Sequence, residues 1–141
     1  LAVTKEIAEI YVPGVYGNTM TTNPRALEVG CAVLDNLTDK VRENIRLRGV
    51  ELKSGLERLG NEFPEAITKV FGTGLMVSAE LNPDIYEVVG EEGFENFLRV
   101  NGIAMIHGGT NGLRFTPYFG ISPDEIQLIL DTVRKGIEEL K

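Results

Sequence analysis

The end of the chain decides the fold class, and it reads LRFTPYFGISPDEIQLILDTVRKGIEEL over residues 113–140. Its first four residues alternate apolar and polar side chains, which is typical of a strand. Ser122-Pro123-Asp124-Glu125 then supplies a serine N-cap, a proline at the first helical position and a glutamate at the third, the signature of a capping box. The stretch therefore predicts a strand and then a long helix. That helix carries one apolar stripe, formed by Ile126, Leu130, Val133, Ile137 and Leu140.

Earlier residues predict further strands. From Val70 the period is again two, with apolar residues at alternate positions up to Leu81, and Asn82-Pro83 ends this strand. Another strand is predicted at 103–107. The glycine-rich segment 108–112 joins it to the strand at 113–116, so these two should form a hairpin.

Three more helices are predicted. One begins at Asn23-Pro24, because asparagine is a favoured N-cap and proline fits the first turn. Its residues Leu27, Cys31 and Leu34 share a face, so Cys31 is expected to be a buried small hydrophobe rather than a reactive thiol. A second amphipathic helix runs from Val41 to a C-cap at Gly60. A short third helix lies around residues 91–100.

The remaining N-terminal residues lack a sustained period. Residues 1–22 have mixed polarity and several glycines, which indicates a short strand followed by an extended loop. Taken together, the predicted elements give an α+β fold, in which helices pack on one side of a small, mostly antiparallel sheet.

Composition limits the class of protein. The chain has 141 residues, 43% of them hydrophobic and 25% charged, as in an ordinary soluble domain. Its net charge is -7 and its Lys and Arg residues are not clustered, so no nucleic-acid partner is expected. No apolar run approaches the roughly 20 residues of a membrane-spanning helix, so no membrane association is expected either.

Two further features concern compartment and chain length. A single cysteine excludes an internal disulfide and fits a reducing compartment, so the protein is expected to be cytoplasmic. The chain starts at Leu1 rather than Met, and its first residues do not resemble a signal peptide, so we expect it to be cut from a longer protein.

The residues with distinctive chemistry are few. A phosphate-binding glycine loop normally opens a helix, whereas the segment 108–112 precedes a strand, so a plain hairpin turn is favoured. His107 is then expected to be a strand residue rather than a ligand or base. One histidine and one cysteine form no metal-ligand cluster.

Two places carry polar residues that packing does not require. Hydroxyl and amide side chains fill residues 16–24, just before a helix start, where they either cap the helix or bind an anion. Composition favours capping. Arg114 alternates with apolar neighbours in a strand, where it either faces solvent or presents its planar fork to a carboxylate.

The order of these features resembles class III (omega-type) aminotransferases, enzymes that depend on pyridoxal phosphate. The motifs that carry the resemblance are Gly17-Asn18-Thr19 with Asn23-Pro24, Gly72-Thr73-Gly74-Leu75-Met76 and Leu113-Arg114-Phe115-Thr116-Pro117. The resemblance covers nearly the whole chain.

The resemblance implies site residues. Asn18 and Thr19 match a loop that crosses a dimer interface, where the threonine contacts the phosphate of pyridoxal phosphate bound by the other subunit. Arg114 matches an arginine that holds the substrate carboxylate. No catalytic residue is expected in this chain, because the Schiff-base lysine of the family would lie upstream of Leu1. Family members usually have glycines at the positions of Thr21 and Thr22.

The resemblance also implies an architecture and a reaction. Residues 1–22 would end the large cofactor-binding domain, residues 23–37 would form a connecting helix, and residues 38–141 would form the C-terminal small domain. The intact homodimer would transfer an amino group between an amino acid or amine and a 2-oxo acid. The chain alone should be inactive. The alternatives are an aminomutase or decarboxylating relative of the same fold, and a stand-alone ligand-binding or regulatory module.

Overall fold

The computed structural model describes residues 3–10, 12 and 23–140. The chain divides into two compact units, Leu1–Leu37 and Thr38–Lys141. In the first unit, the described helices are α1 (Lys5–Ile10) and α2 (Pro24–Asn36). The second unit contains α3 (Asp39–Glu62), β1 (Ile67–Thr73), β2 (Met76–Leu81), α4 (Phe94–Val100), β3 (Ile106–Gly108), β4 (Gly112–Phe115) and α5 (Pro123–Glu139).

Helix α1 corrects one prediction, because a short strand was expected near the start of the chain. The sequence of α1 is KEIAEI, whose Ala, Lys and Glu residues favour a helix. Lys5 and Glu9 also lie one turn apart, with Nζ and Oε1 at 3.9 Å. The extended loop that was predicted to follow lies mostly outside the described residues.

Helix α2 begins where the sequence predicted. The Asn23 side-chain oxygen accepts hydrogen bonds from the backbone N–H of Arg25 at 3.0 Å and of Ala26 at 3.4 Å. The predicted burial of Cys31 is wrong, however, since Cys31 is exposed. Leu27 and Leu34, on the same face, are 59% and 65% exposed. The helical period gave the face correctly, but this face is exposed.

Helix α3 is the longest helix of the second unit. The Thr38 hydroxyl caps its start by accepting from Val41 N at 3.4 Å, and the helix ends at Glu62, two residues beyond the predicted Gly60. Its buried face is formed by small and branched apolar residues, namely Gly49, Leu52, Gly55, Leu56 and Leu59. This face packs on β1 and β2 and on helix α5.

The sheet contains two strands where the sequence predicted one. Its order is β1-β2-β4-β3, and all neighbours are antiparallel. The predicted single strand from Val70 to Leu81 turns back at Gly74-Leu75, so that Thr73 pairs with Met76. Gly74 has a φ of 56°, a conformation that glycine adopts without steric cost. Leu75 is therefore a buried turn residue. The alternation of apolar and polar residues continues through the turn, so the sequence pattern does not reveal where the strand ends.

Three further predictions for the second unit are confirmed. Strands β3 and β4 form the predicted hairpin, although β3 begins at Ile106 rather than at residue 103. The capping box of α5 is complete, because Ser122 N donates to Glu125 Oε2 at 2.7 Å and Glu125 N donates to Ser122 Oγ at 3.2 Å. The α+β class is confirmed as well, with helices against one face of an antiparallel sheet.

Close packing of α3 against the sheet depends on a glycine. A Cβ placed on Gly49 would lie 2.3 Å from the carbonyl oxygen of Gly74, in the turn between β1 and β2. Both groups are backbone, so neither can rotate away. Gly60 of the same helix is different, because a Cβ there would lie 3.5 Å from Ile67 Cγ2, an ordinary van der Waals distance.

We expect Gly49→Ala to destabilise the protein by about 1–3 kcal/mol, because the added methyl forces helix and turn apart. Gly60→Ala is the matched control. It should be neutral or stabilising by roughly 0.5–1 kcal/mol, since alanine favours the helix over glycine. Chemical denaturation of both variants measures the two free energies of unfolding. Equal effects of the two substitutions would show that the Gly49 contact does not govern this packing.

Candidate functional site

Arg114 lies in β4, near the middle of the sheet. It pairs with Ser78 on β2 and with Ile106 on β3, while Phe71 on β1 pairs with Ser78. Directly paired residues project to the same face of a sheet. These four side chains therefore form one row across a face that we call the outer face.

The outer face is the one turned away from the helices of the second unit. Leu113 and Phe115, on either side of Arg114 in the chain, are 0% and 2% exposed and belong to the hydrophobic core. Successive strand residues point to opposite faces, so Arg114 cannot point into that core. On the outer face, Phe71, Met76 and Ile106 are 42%, 62% and 51% exposed.

The guanidinium of Arg114 lies against Gly108 of the neighbouring strand. A Cβ placed on Gly108 would stand only 2.3 Å from Arg114 Nη2. Arg114 is half-buried, and its guanidinium forms neither an ion pair nor a hydrogen bond with the residues that the structure describes. A guanidinium carries its charge at all accessible pH values. The geometry thus presents a permanent cation, held in place and without an anionic partner among those residues.

The nearest acidic neighbour on the outer face is one row away. Glu80 pairs with Gly112, and its Oε1 lies 3.8 Å from the position that a Cβ on Gly109 would take. It makes no ion pair with Arg114. Lys69, in the same row as Glu80, places its ammonium 5.1 Å from the centre of the Phe71 ring. Arg114 is therefore left to interact with an anion from outside the sheet.

The predicted phosphate contacts belong to a segment that lies mostly outside the described residues. Asn18 and Thr19 lie outside the described residues, and so do Thr21 and Thr22. The described end of this segment shows ordinary capping, because the Asn23 side chain already accepts from two of the first amide groups of α2. An anion bound by this loop would consequently rely on groups before Asn23.

The glycine-rich segment forms a hairpin turn and His107 lies in a strand, as predicted. Gly109 has a φ of 65° in the turn between β3 and β4. His107 lies in β3, and its Nδ1–H donates to Glu95 Oε2 at 2.9 Å, while Arg99 donates to Glu95 Oε1 at 2.7 Å. Within the described ranges, no group of three or more potential metal ligands is present. In the same ranges, no helix is both long enough and apolar enough to span a membrane.

A basic cleft lies apart from Arg114. It encloses about 450 Å³ between α3 and the turn at Gly72-Thr73-Gly74. Two of its cations are already compensated, because Arg46 pairs with Glu43 at 2.6 Å and Lys53 with Glu57 at 4.0 Å. This compensation makes the cleft a weaker anion site than the outer face at Arg114.

The sequence reasoning missed the role of Gly108. Gly108 was assigned only to a hairpin turn, yet it ends strand β3 and contacts the Arg114 guanidinium. The spacing of the two residues across the hairpin was the signal available in the sequence. That spacing identifies the contact only when the register is known. In the observed register Gly108 pairs with Gly112 and Ile106 pairs with Arg114.

Known proteins resemble this chain over nearly its whole length. The family model Aminotransferase class-III matches residues 1–137. The acetylornithine aminotransferase of Thermosynechococcus vestitus is 29% identical over 139 residues, which are 98% of this chain and 33% of that protein. The mitochondrial acetylornithine aminotransferase of Yarrowia lipolytica is 30% identical over 138 residues, 97% of this chain and 32% of that protein.

A solved structure agrees with these matches. The (S)-enantioselective omega-transaminase from Thermomicrobium roseum superimposes with a TM-score of 0.71 and 26% identity, covering 98% of this chain and 33% of that one. The chain thus spans about a third of the length of the relatives it matches.

The pair of Glu95 and His107 predicts a pH dependence of stability. The hydrogen bond from His107 is the main cause that lowers the pKa of the Glu95 carboxyl, with Arg99 acting in the same direction and burial opposing. A pKa lowered by folding stabilises the fold above the unfolded value, about 4.3 for glutamate. That stabilisation is lost as the pH falls through the folded-state pKa.

Glu95→Gln should therefore melt at a lower temperature than the wild type at pH 7, and the difference should shrink as the pH drops below about 4. Melting curves at several pH values measure this difference. Glu92→Gln is a suitable control, because Glu92 is exposed and has no such partner among the described residues. A difference between Glu95→Gln and wild type that does not change with pH would contradict the assignment.

Proposed function

The chain belongs to the class-III aminotransferase family, and on that premise we propose that it forms a C-terminal part of an enzyme that transfers an amino group between an amino acid or amine and a 2-oxo acid. The observation that carries its role in that enzyme is Arg114, whose guanidinium has no anionic partner among the described residues. The relatives named as acetylornithine aminotransferases and as an omega-transaminase support the reaction class.

Arg114 would bind the substrate carboxylate. A guanidinium donates two parallel hydrogen bonds to a carboxylate, and this planar fork sets the orientation as well as the affinity. Half-burial on the outer face weakens competition from water, so the pair is stronger than a fully exposed one. Because a guanidinium does not lose its proton in proteins, Arg114 orients the substrate and transfers no proton.

The family implies pyridoxal phosphate as cofactor. When bound, this group supplies the carbonyl that accepts the amino group and the ring that stabilises negative charge on the substrate carbon. The donor chemistry of this chain fits its phosphate, since the Asn18 amide and the Thr19 hydroxyl can donate hydrogen bonds to phosphate oxygens. Asn23, which follows them in the chain, caps the start of α2 with its side chain.

A homodimer is part of this proposal. Asn18 and Thr19 would donate to the cofactor phosphate in the other subunit, so that each site would need both copies. The single cysteine of the chain is consistent with an enzyme in a reducing compartment, such as the cytoplasm. The location itself remains a prediction.

Two alternatives make different predictions for Arg114. An aminomutase of this fold would not require an arginine at this position, so the removal of Arg114 would leave its reaction largely intact. A stand-alone binding module would need no second copy and no cofactor. The family match over residues 1–137 supports an enzyme over such a module.

Arg114→Ala should raise the Michaelis constant for glutamate or 2-oxoglutarate strongly, because losing one partner of a charge pair that the bound substrate buries costs on the order of 2–5 kcal/mol. Arg114→Lys should be intermediate, since an ammonium keeps the charge but not the planar fork. Steady-state kinetics with 4-aminobutyrate and with 1-aminobutane, which lacks the carboxylate, measure the selectivity. Lys69→Ala, which removes another cation of the outer face, is the control.

Equal losses for the substrates with and without a carboxylate would refute carboxylate binding by Arg114. If Lys69→Ala raised the Michaelis constant as much as Arg114→Ala, the effect would come from the general positive charge of the outer face and not from Arg114 itself.

Thr19→Ala should weaken the binding of pyridoxal phosphate while leaving the fold unchanged. The lost hydrogen bond to a charged phosphate is worth roughly 1.5–3 kcal/mol. Equilibrium dialysis measures the cofactor affinity, and thermal unfolding of the cofactor-free protein measures stability. Thr19→Ser is the conservative control, because it keeps the hydroxyl. A variant that melts early with unchanged cofactor affinity would make Thr19 a structural loop residue.

A further inference from the structure

Gly108 lies diagonally across the hairpin from Arg114. The direct partner of Arg114 is Ile106, and Gly108, two residues further along β3, pairs with Gly112. A diagonal neighbour at this spacing is within reach of a long side chain. The arginine stem follows this diagonal, and the guanidinium ends against the glycine.

Three distances show which part of the guanidinium meets Gly108. The position of the missing Cβ lies 2.3 Å from Nη2, 2.6 Å from Nε and 2.8 Å from Cζ. For a point over the centre of the flat face of a guanidinium, Cζ would be the closest of these atoms. Here both nitrogens are closer than Cζ. The glycine therefore lies beside the edge that carries Nε and Nη2.

We propose that Gly108 is a positioning residue for Arg114, which holds the Nε–Nη2 edge against β3 and leaves the Nη1–Nη2 edge to bind the substrate carboxylate. The proposal rests on carboxylate binding by Arg114 and specifies how that binding occurs. A guanidinium has two edges suited to a carboxylate, and both give two parallel hydrogen bonds. The contact with Gly108 selects between them.

Only glycine permits this contact. All three distances from a Cβ are below the ordinary carbon–nitrogen contact of about 3.5 Å, so any side chain at position 108 displaces the guanidinium. The displaced group is the far end of a flexible side chain, and its stem can rotate. Gly108 is also absent from the glycines with positive φ, so its backbone accepts alanine. Gly108→Ala should consequently displace the Arg114 guanidinium while leaving the stability of the fold nearly unchanged.

The test is the affinity of the natural protein for glutarate, a dicarboxylate that carries no amino or oxo group to react. We expect Gly108→Ala to raise the dissociation constant roughly tenfold, because a misplaced guanidinium loses one of its two hydrogen bonds. Isothermal titration calorimetry measures the constant. Gly60→Ala is the matched control, since it makes the same change at a site that does not touch Arg114, and it should leave the constant unchanged.

A second pair of variants separates this inference from the proposed function. Arg114→Ala should weaken glutarate binding, and adding Gly108→Ala to it should cause no further loss. If Arg114→Ala leaves the binding unchanged, the proposed function is wrong and the positioning role with it. If Arg114→Ala weakens the binding and Gly108→Ala does not, the proposed function stands and the positioning role is wrong.

Melting temperatures provide an independent test of the contact between Gly108 and Arg114. Should Gly108→Ala lower the melting temperature, the double variant with Arg114→Ala should restore it, because the overlapping guanidinium is gone. Failure to restore it would overturn the inference, since position 108 would then need glycine for another reason.

A crystal structure of the glutarate complex tests the choice of edge directly. The expected result is a carboxylate that accepts hydrogen bonds from Nη1 and Nη2, with Nε still against Gly108. A carboxylate bound to Nε would overturn the assignment.

Discussion

The antiparallel pairing of β2 with β4 is the constraint on which the rest of the second unit depends. It places Leu113 beside Ala79 and Phe115 beside Val77, and all four side chains are buried in the core. Because strand residues alternate between faces, burying these neighbours forces Arg114 onto the outer face. A shift of one residue in this register would place the charge in the core and two large apolar side chains outside. Burial of its apolar neighbours therefore fixes the position of Arg114, although the arginine side chain itself is not part of the hydrophobic core.

Glycines act at two levels around this sheet, and the difference lies in what each one touches. Gly49 faces the backbone of Gly74, which cannot move without separating a helix from a turn. Gly108 faces the end of a flexible side chain, which can move at little cost to the fold. The same absence of a Cβ thus governs stability in the first case and the direction of a binding group in the second. The proposed role of Arg114 can therefore be tested separately from folding.

The proposed role of this chain, to bind groups of the substrate and cofactor, follows from the side chains that it contains. Arg114, Asn18 and Thr19 are donors of hydrogen bonds, suited to hold a carboxylate and a phosphate. Neither role requires a change of protonation state in this chain. The chemistry at the substrate carbon would then come from the cofactor and from residues elsewhere in the enzyme, which is consistent with a chain that spans about a third of its relatives' length. Binding geometry is what this part of the protein would contribute.

Local rules were enough to predict the starts of α2 and α5, since the caps at Asn23 and Ser122 involve residues at most three positions apart. They also indicated the strand around Arg114 and the α+β class, because alternation and helical period are properties of short segments. They failed where the outcome depends on distant residues. The alternation from Val70 to Leu81 continues through the turn at Gly74, and the apolar face that includes Cys31 is exposed although its period predicted burial. The meeting of Gly108 with Arg114 was likewise decided by the tertiary structure alone, because only the register of β3 against β4 brings the bare Cα of the glycine to the edge of the guanidinium.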